Sequence, residues 1–319
     1  MKNQAGFVFG RTLFFTLILA TSTLALADTN EDISTEAGAK PAPPSAEVTG
    51  KEISADDLIT NNNLRALSGS TSKWSFASQW NYLGGTISSP FAQDRPNIAD
   101  ASATTPKTDI DGSLNVKYNL NVKNSLLLGF GVRWVAPFTV GGPTNYSGTQ
   151  YDAINPTATY QHIYKYLGIQ AVLQVAAMEY TQSDSVAAGY GQQFQLDQEN
   201  IFEVGSTGLS IGGSTGVGTN LFFNNDPSLA SSQSLYQAWF TPYLEYTLTK
   251  KINFRTVANL FVFEKYRDGT LVHDTVTQSI GFGFSVTRDI FLYPNIQFLP
   301  SAIASSRTNV GLSATINLF

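Results

Sequence analysis

Two histidines and no cysteines narrow the chemistry open to these 319 residues. A serine nucleophile needs an adjacent base and a group that orients it, and only His162 and His273 are on offer. His162 stands between Tyr160 and Tyr164 in an alternating stretch, where an interfacial rim residue fits better than a catalytic one. No His/Asp/Glu cluster has metal-ligand spacing, so neither metal nor cofactor is expected. The run Gly213-Ser214-Thr215-Gly216-Val217-Gly218 lacks a following lysine and opens no helix, so it is not read as a phosphate loop. Carboxylates are plentiful, but no motif selects an acid pair, and the chain is not expected to be an enzyme.

The remaining chemistry lies in charged residues that share a face. Gln193, Gln195, Asp197, Glu199 and Glu203 occupy one parity of a single segment, and Lys117, Arg133, Glu245 and Arg255 fall on the matching parity of others. These parities only mean something if the segments are strands, in which successive side chains point to opposite faces. Between Asp109 and Val122 the odd positions carry Asp, Ser, Asn and Lys, while the even ones carry Ile110, Leu114, Val116, Tyr118, Leu120 and Val122. Thr275 to Thr287 and Asn309 to Leu318 repeat the pattern.

Composition explains what such strands would build. Only 13% of residues are charged, against roughly 25% in soluble domains. Past the extreme N-terminus no apolar run approaches the ~18 residues of a spanning helix. Alternating short segments, about twelve of them between 73–84 and 309–319, are the remaining membrane solution, an antiparallel transmembrane β-barrel. Connection lengths agree. Lys123-Asn124, Lys250-Lys251 and Arg288-Asp289 are short turns, whereas Gly85 to Lys107 and Pro137 to Asp152 are long loops. Aromatics sort to segment ends, with Trp74, Tyr164, Phe202, Tyr246 and Phe254 near the short turns and Trp80, Tyr82, Trp134, Phe194, Phe223 and Tyr236 near the loops, as in two interfacial belts.

Residues 1–27 carry Lys2 and Arg11, an apolar core and Ala25-Leu26-Ala27, and are expected to be a signal peptide. Its removal takes the basic count from 19 to 17 against 24 acidic residues. This acidic balance argues against a nucleic-acid partner. Residues 28–72 form a leader or plug, Pro/Ser-rich and acidic, with a short helix capped by Ser54; a flexible periplasmic leader is preferred over a plug. Residues 73–319 are the barrel.

The last nine residues, Gly311-Leu312-Ser313-Ala314-Thr315-Ile316-Asn317-Leu318-Phe319, resemble the C-terminal insertion signal of bacterial outer-membrane proteins. That family pattern is a glycine, alternating apolar residues and a terminal aromatic, so Gly311, Ile316, Leu318 and Phe319 carry it. One departure is that Phe319 lies on the parity of Asn317, not of Leu318. The resemblance implies the Gram-negative outer membrane as location, its lipid as surroundings and the barrel-assembly machinery as a partner. Outer-membrane phospholipases offer a His-x-Ser pair on a twelve-stranded barrel, but in His273-Asp274-Thr275 a threonine replaces the nucleophile.

Two functions stay open. One is a porin-like channel for small hydrophilic solutes, lined by Lys117, Arg133, Asp197, Glu199, Glu203, Glu245 and Arg255. The other is a surface protein whose long loops bind a partner. Ser210, Gly212, Ser214, Gly216 and Gly218 face inward as a nearly bare wall opposite the acidic segment. The acidic residues either favour cations or pair with lumen Lys and Arg. Parity also sets Glu245 opposite Arg255, with Leu248 opposite Ile252 at the turn. Nothing in the sequence sets an oligomeric state.

Overall fold

The computed structural model describes residues 54–98, 105–146, 148 and 150–319; the expected signal peptide and the leader up to residue 53 lie outside the described residues. Fourteen β segments follow in order: β1 (Trp74–Leu83), β2 (Asp109–Asn119), β3 (Asn124–Val135), β4 (Tyr151–Tyr166), β5 (Ile169–Glu179), β6 (Tyr190–Glu203), β7 (Leu209–Phe222), β8 (Ser234–Thr249), β9 (Ile252–Asn259), β10 (Phe261–Tyr266), β11 (Leu271–His273), β12 (Thr277–Ser285), β13 (Ile290–Phe298) and β14 (Thr308–Leu318). β9 and β10 are one crossing interrupted at Leu260, since both pair with β8. β11 and β12 are the next crossing, pairing with β10 and β9 respectively. Twelve crossings result, all antiparallel to their neighbours, and the β1–β14 pairing closes the ring.

Closure pairs every wall strand on both sides except the three-residue β11, which leaves little edge to pair with another chain. The period-two alternation reaches the surface as expected. Val116, Leu126, Leu128, Phe130, Val175, Phe202, Ile211, Leu244 and Leu312 all face outward and are exposed. On the alternate parity, Lys117, Gln161, Gln170 and Glu245 face inward and are buried. One break in parity falls on β4, where the register shifts between Gly129 and Gly131 of β3. Asn155 there adopts φ 54° just before Pro156, so Asp152 and Thr157 end up on the same face.

Tyr82 departs from the simple belt. It lies under loop aromatics, edge-on to Phe138 with ring centroids 5.4 Å apart, and its hydroxyl donates to the Pro90 carbonyl at 2.7 Å. The His162 ring stacks beside Tyr164 with Nδ1 2.7 Å from Asn124 Oδ1. His273 meets the Leu260 carbonyl.

The preference for a flexible leader is corrected for residues 54–68. Ser54 and Asp57 form a capping box on α1 (Ala55–Leu58), and Asn61 caps α2 (Asn62–Ser68) by accepting from the Leu64 amide at 3.0 Å. Both helices sit inside the barrel at its short-turn end. Ile59 and Leu64 are wholly buried against Ile163, Val172, Ile201 and Tyr243, each burial contributing about 1.5–3 kcal/mol. Such a plug is short, but it is bound to the wall at many points.

Candidate functional site

Inside the barrel, one cluster of charge joins β6, β8 and β9. Glu245 and Arg255 are cross-strand partners, with Nη1 2.5 Å from Glu245 Oε1. The expected Leu248–Ile252 pair at the turn is corrected: a bulge between Thr247 and Thr249 sets Thr249 opposite Ile252. The slip is confined to the turn, so the register further along is unaffected. Glu199 approaches the same guanidinium at 3.8 Å, and the ring of Tyr243 covers one of its faces at 4.1 Å, with Tyr293 at 5.6 Å. A guanidinium that is paired and stacked in this way is a fixed part of the wall.

The expected bare glycine wall is not bare. Across the ladder, Gly212 faces Tyr243, Gly216 faces Trp239 and Gly218 faces Gln237. A Cβ on Gly216 would come within 2.2 Å of the Trp239 ring, and one on Gly212 within 2.3 Å of Tyr243. The glycines leave room for those β8 rings to pack across β7. Trp239 and Tyr243 were missed by sequence reasoning. Their signal was present: both share the odd parity of Thr241 and Glu245, but aromatics on a polar face read as noise.

The other charged residues lie apart from this cluster. Asp197 accepts from Gln195 at 2.6 Å. At the long-loop end, Arg133 reaches Asp109 at 3.4 Å, and Arg95 from the first long loop reaches the same carboxylate at 3.9 Å. At the short-turn end Glu203, Lys117 and the cluster's own Glu245 hold the plug. Glu203 accepts from Thr60 at 3.0 Å, Glu245 accepts from Asn61 at 2.8 Å, and Lys117 donates to the Ser68 carbonyl. Gln170 accepts both the Thr60 and Asn61 amides, and Asn317 donates to the Ala66 carbonyl at 2.7 Å. Arg288 in the β12–β13 turn binds Asp56 at 2.8 Å. Burial works to lower the Arg288 pKa, and Asp56 and Asp289 more than offset it, so it stands above the usual arginine value.

Of the charged residues expected to line a lumen, only Arg255 borders a cavity found against β9, β12, β13 and β14. This space, about 290 Å³, lies between Asn63 of the plug and the wall of β9, β12, β13 and β14. Asn295, Ser313 and Thr315 border it and had not been singled out from the sequence. Of the insertion-signal residues, Gly311 faces inward opposite Asn295, Ile316 and Leu318 face outward, and Phe319 is exposed beyond the end of β14.

No family model matches the chain, and no curated protein matches it. Among solved structures, the outer membrane channel of Pseudomonas putida F1 superposes with TM-score 0.47 at 11% identity, covering 78% of this chain and 97% of that one. The NanC porin gives 0.41 at 8% identity over 76% and 98% of the two chains. The KdgM porin gives 0.40 at 10% identity over 77% and 98%. Superpositions of this quality do not carry a function from those proteins to this chain.

Proposed function

We propose that this protein is an outer-membrane channel of the porin kind for small hydrophilic solutes, with residues 55–68 of its own chain stopping the periplasmic mouth. The carrying observation is the contrast across one wall. The outer face is an apolar skin, and the inner face is polar and encloses a cavity of about 290 Å³ bordered by amides and hydroxyls. Exposed apolar surface costs about 25 cal/mol per Å² in water, and a belt that runs round a closed barrel finds its natural solvent in a bilayer. Short turns face the periplasm in barrels of this class, which puts the plug on that side. Export by residues 1–27 and recognition of Gly311, Ile316, Leu318 and Phe319 by the assembly machinery belong to the same reading.

Twelve strands enclose more room than the eight that side chains fill, and less than the sixteen that leave a wide aqueous channel. A narrow lumen stopped at one end fits a gated route. Planar-bilayer recording tests it. The full chain should give small single-channel steps, and a variant lacking residues 55–68 should give larger ones. Silence from both would overturn the channel and favour the surface-protein reading, in which the folded first loop, tied in through Arg95, binds a partner.

A further inference from the structure

We infer that the cavity against β9, β12, β13 and β14 binds an uncharged, polyhydroxylated solute of saccharide type. This rests on the channel reading only for how the solute enters and leaves. Three features of the cavity lead to that ligand class.

The first is the commitment of its one charge. Arg255 is the sole charged side chain bordering the space among the described residues. Its Nη1 is taken by Glu245 at 2.5 Å and its Nη2 lies 3.8 Å from Glu199. A solute carboxylate approaching that guanidinium would meet two carboxylates already in place. A solute ammonium would find both of them turned to Arg255. Neither sign of charge gains a partner.

The second is what the rest of the border offers. Asn63, Asn259 and Gln297 present amides, and Ser279, Ser313 and Thr315 present hydroxyls. Such groups donate and accept at once, which is the property of a sugar hydroxyl. The rings of Phe291 and Tyr293 add apolar faces beside them, suited to the C–H side of a sugar.

The third is an acceptor with no partner. Asn295 is 6% exposed, and its Nδ2 is spent on the Tyr293 carbonyl at 3.0 Å, while Oδ1 has no partner. That Oδ1 lies over Gly311, where a Cβ would approach it to 2.7 Å. Asn309, opposite Gln297 one step nearer the long loops, likewise keeps a buried Oδ1 unpartnered. A buried acceptor left without a donor is unfavourable, and a turn of the Asn295 amide, whose residue borders the cavity, would present it to a neutral hydroxyl. The cavity, about 290 Å³, matches the small end of ligand pockets, about 300 Å³.

The test is saturation-transfer NMR on the full chain folded in an alkyl phosphocholine, a detergent without a sugar headgroup. Glucose, glucuronate and glucosamine are compared at equal concentration. Glucose should show saturable transfer well above the other two. Asn295→Ala should weaken it by about three- to tenfold, the worth of one hydrogen bond. Ser313→Trp should fill the space and abolish it. Asn295→Asp should move the preference to glucosamine. Heat-modifiable gel mobility verifies that each variant is folded, and the ranking of the three sugars on the unaltered chain stands without any variant. Absence of glucose transfer, equal transfer from a charged sugar, or glucose binding that survives in folded Ser313→Trp would overturn the site. Conductance without glucose binding defeats this inference alone; glucose binding without conductance defeats the channel alone.

Discussion

The wall of β7 and β8 and the wall of β12, β13 and β14 carry inward glycines in the same way and use them differently. On β7, Gly212, Gly216 and Gly218 lie beneath Tyr243, Trp239 and Gln237 of the neighbouring strand. On the other side, Gly281 is paired with Arg255, whose head reaches away toward Glu245 and Glu199, and Gly311 is paired with Asn295. Aromatic rings lie over Gly212 and Gly216, whereas Gly281 and Gly311 are covered by the smaller Asn295 and its backbone, and a cavity remains beside Asn295. A missing side chain therefore does not make a hole in a barrel. The residue across the ladder decides, by lying over the gap or by being drawn elsewhere.

This contrast can be broken first at Arg255, whose pull toward β8 and β6 links the two walls. Arg255→Ala leaves Glu199 and Glu245 buried without their cation, a loss of about 3–5 kcal/mol. The urea midpoint of the folded barrel should fall accordingly, and any conductance should shift toward cations. An unchanged midpoint would mean that the pair does not hold the walls together.

A smaller effect is expected on the packed wall itself. Gly216→Val drives a side chain into the Trp239 ring and should cost about 1–3 kcal/mol by overpacking. In a Trp239→Ala background the same change should be tolerated, so the two substitutions should couple in a double-mutant cycle. Gly311→Ala, on the open wall, meets chiefly the movable amide of Asn295 and should cost less than Gly216→Val. Equal costs would erase the difference between the walls.

Much of this was legible before the structure. Two-residue alternation around Asp109 to Asn119 gave strand, face and pairing, because only one parity can be polar when the other is set against lipid. The same parity rule placed Glu245 opposite Arg255 across a turn of two lysines. What escaped were departures from regularity, only one of which carried a compositional mark. The Thr247/Thr249 bulge displaces the turn pair without altering the register beyond it. At Gly129/Gly131 the shift lies opposite Asn155-Pro156, and a proline inside a strand pattern was a cue to a bulge. Tyr243 and Trp239 were hidden because an aromatic on the polar parity counts against the alternation. The plug was offered by the sequence but ranked second for another reason: helices as short as Ala55–Leu58 and Asn62–Ser68 show too few turns for an amphipathic face to be read. The Ser54 cap was visible and the Asn61 cap was not, and the wall that buries Ile59 and Leu64 is assembled from strands far away in sequence.

The proposed channel predicts a solute path along the β12–β14 wall, where the cavity lies, and not along β7. Because the chain has no cysteine, single thiols can be placed without background. Ser313→Cys on the open wall and Ser214→Cys on the packed wall are each recorded in planar bilayers while a bulky thiosulfonate is added. Modification at Ser313→Cys should cut the single-channel conductance, and the same reagent should leave the Ser214→Cys current unchanged. Block at Ser214→Cys with none at Ser313→Cys would place the path on the other wall and contradict the account.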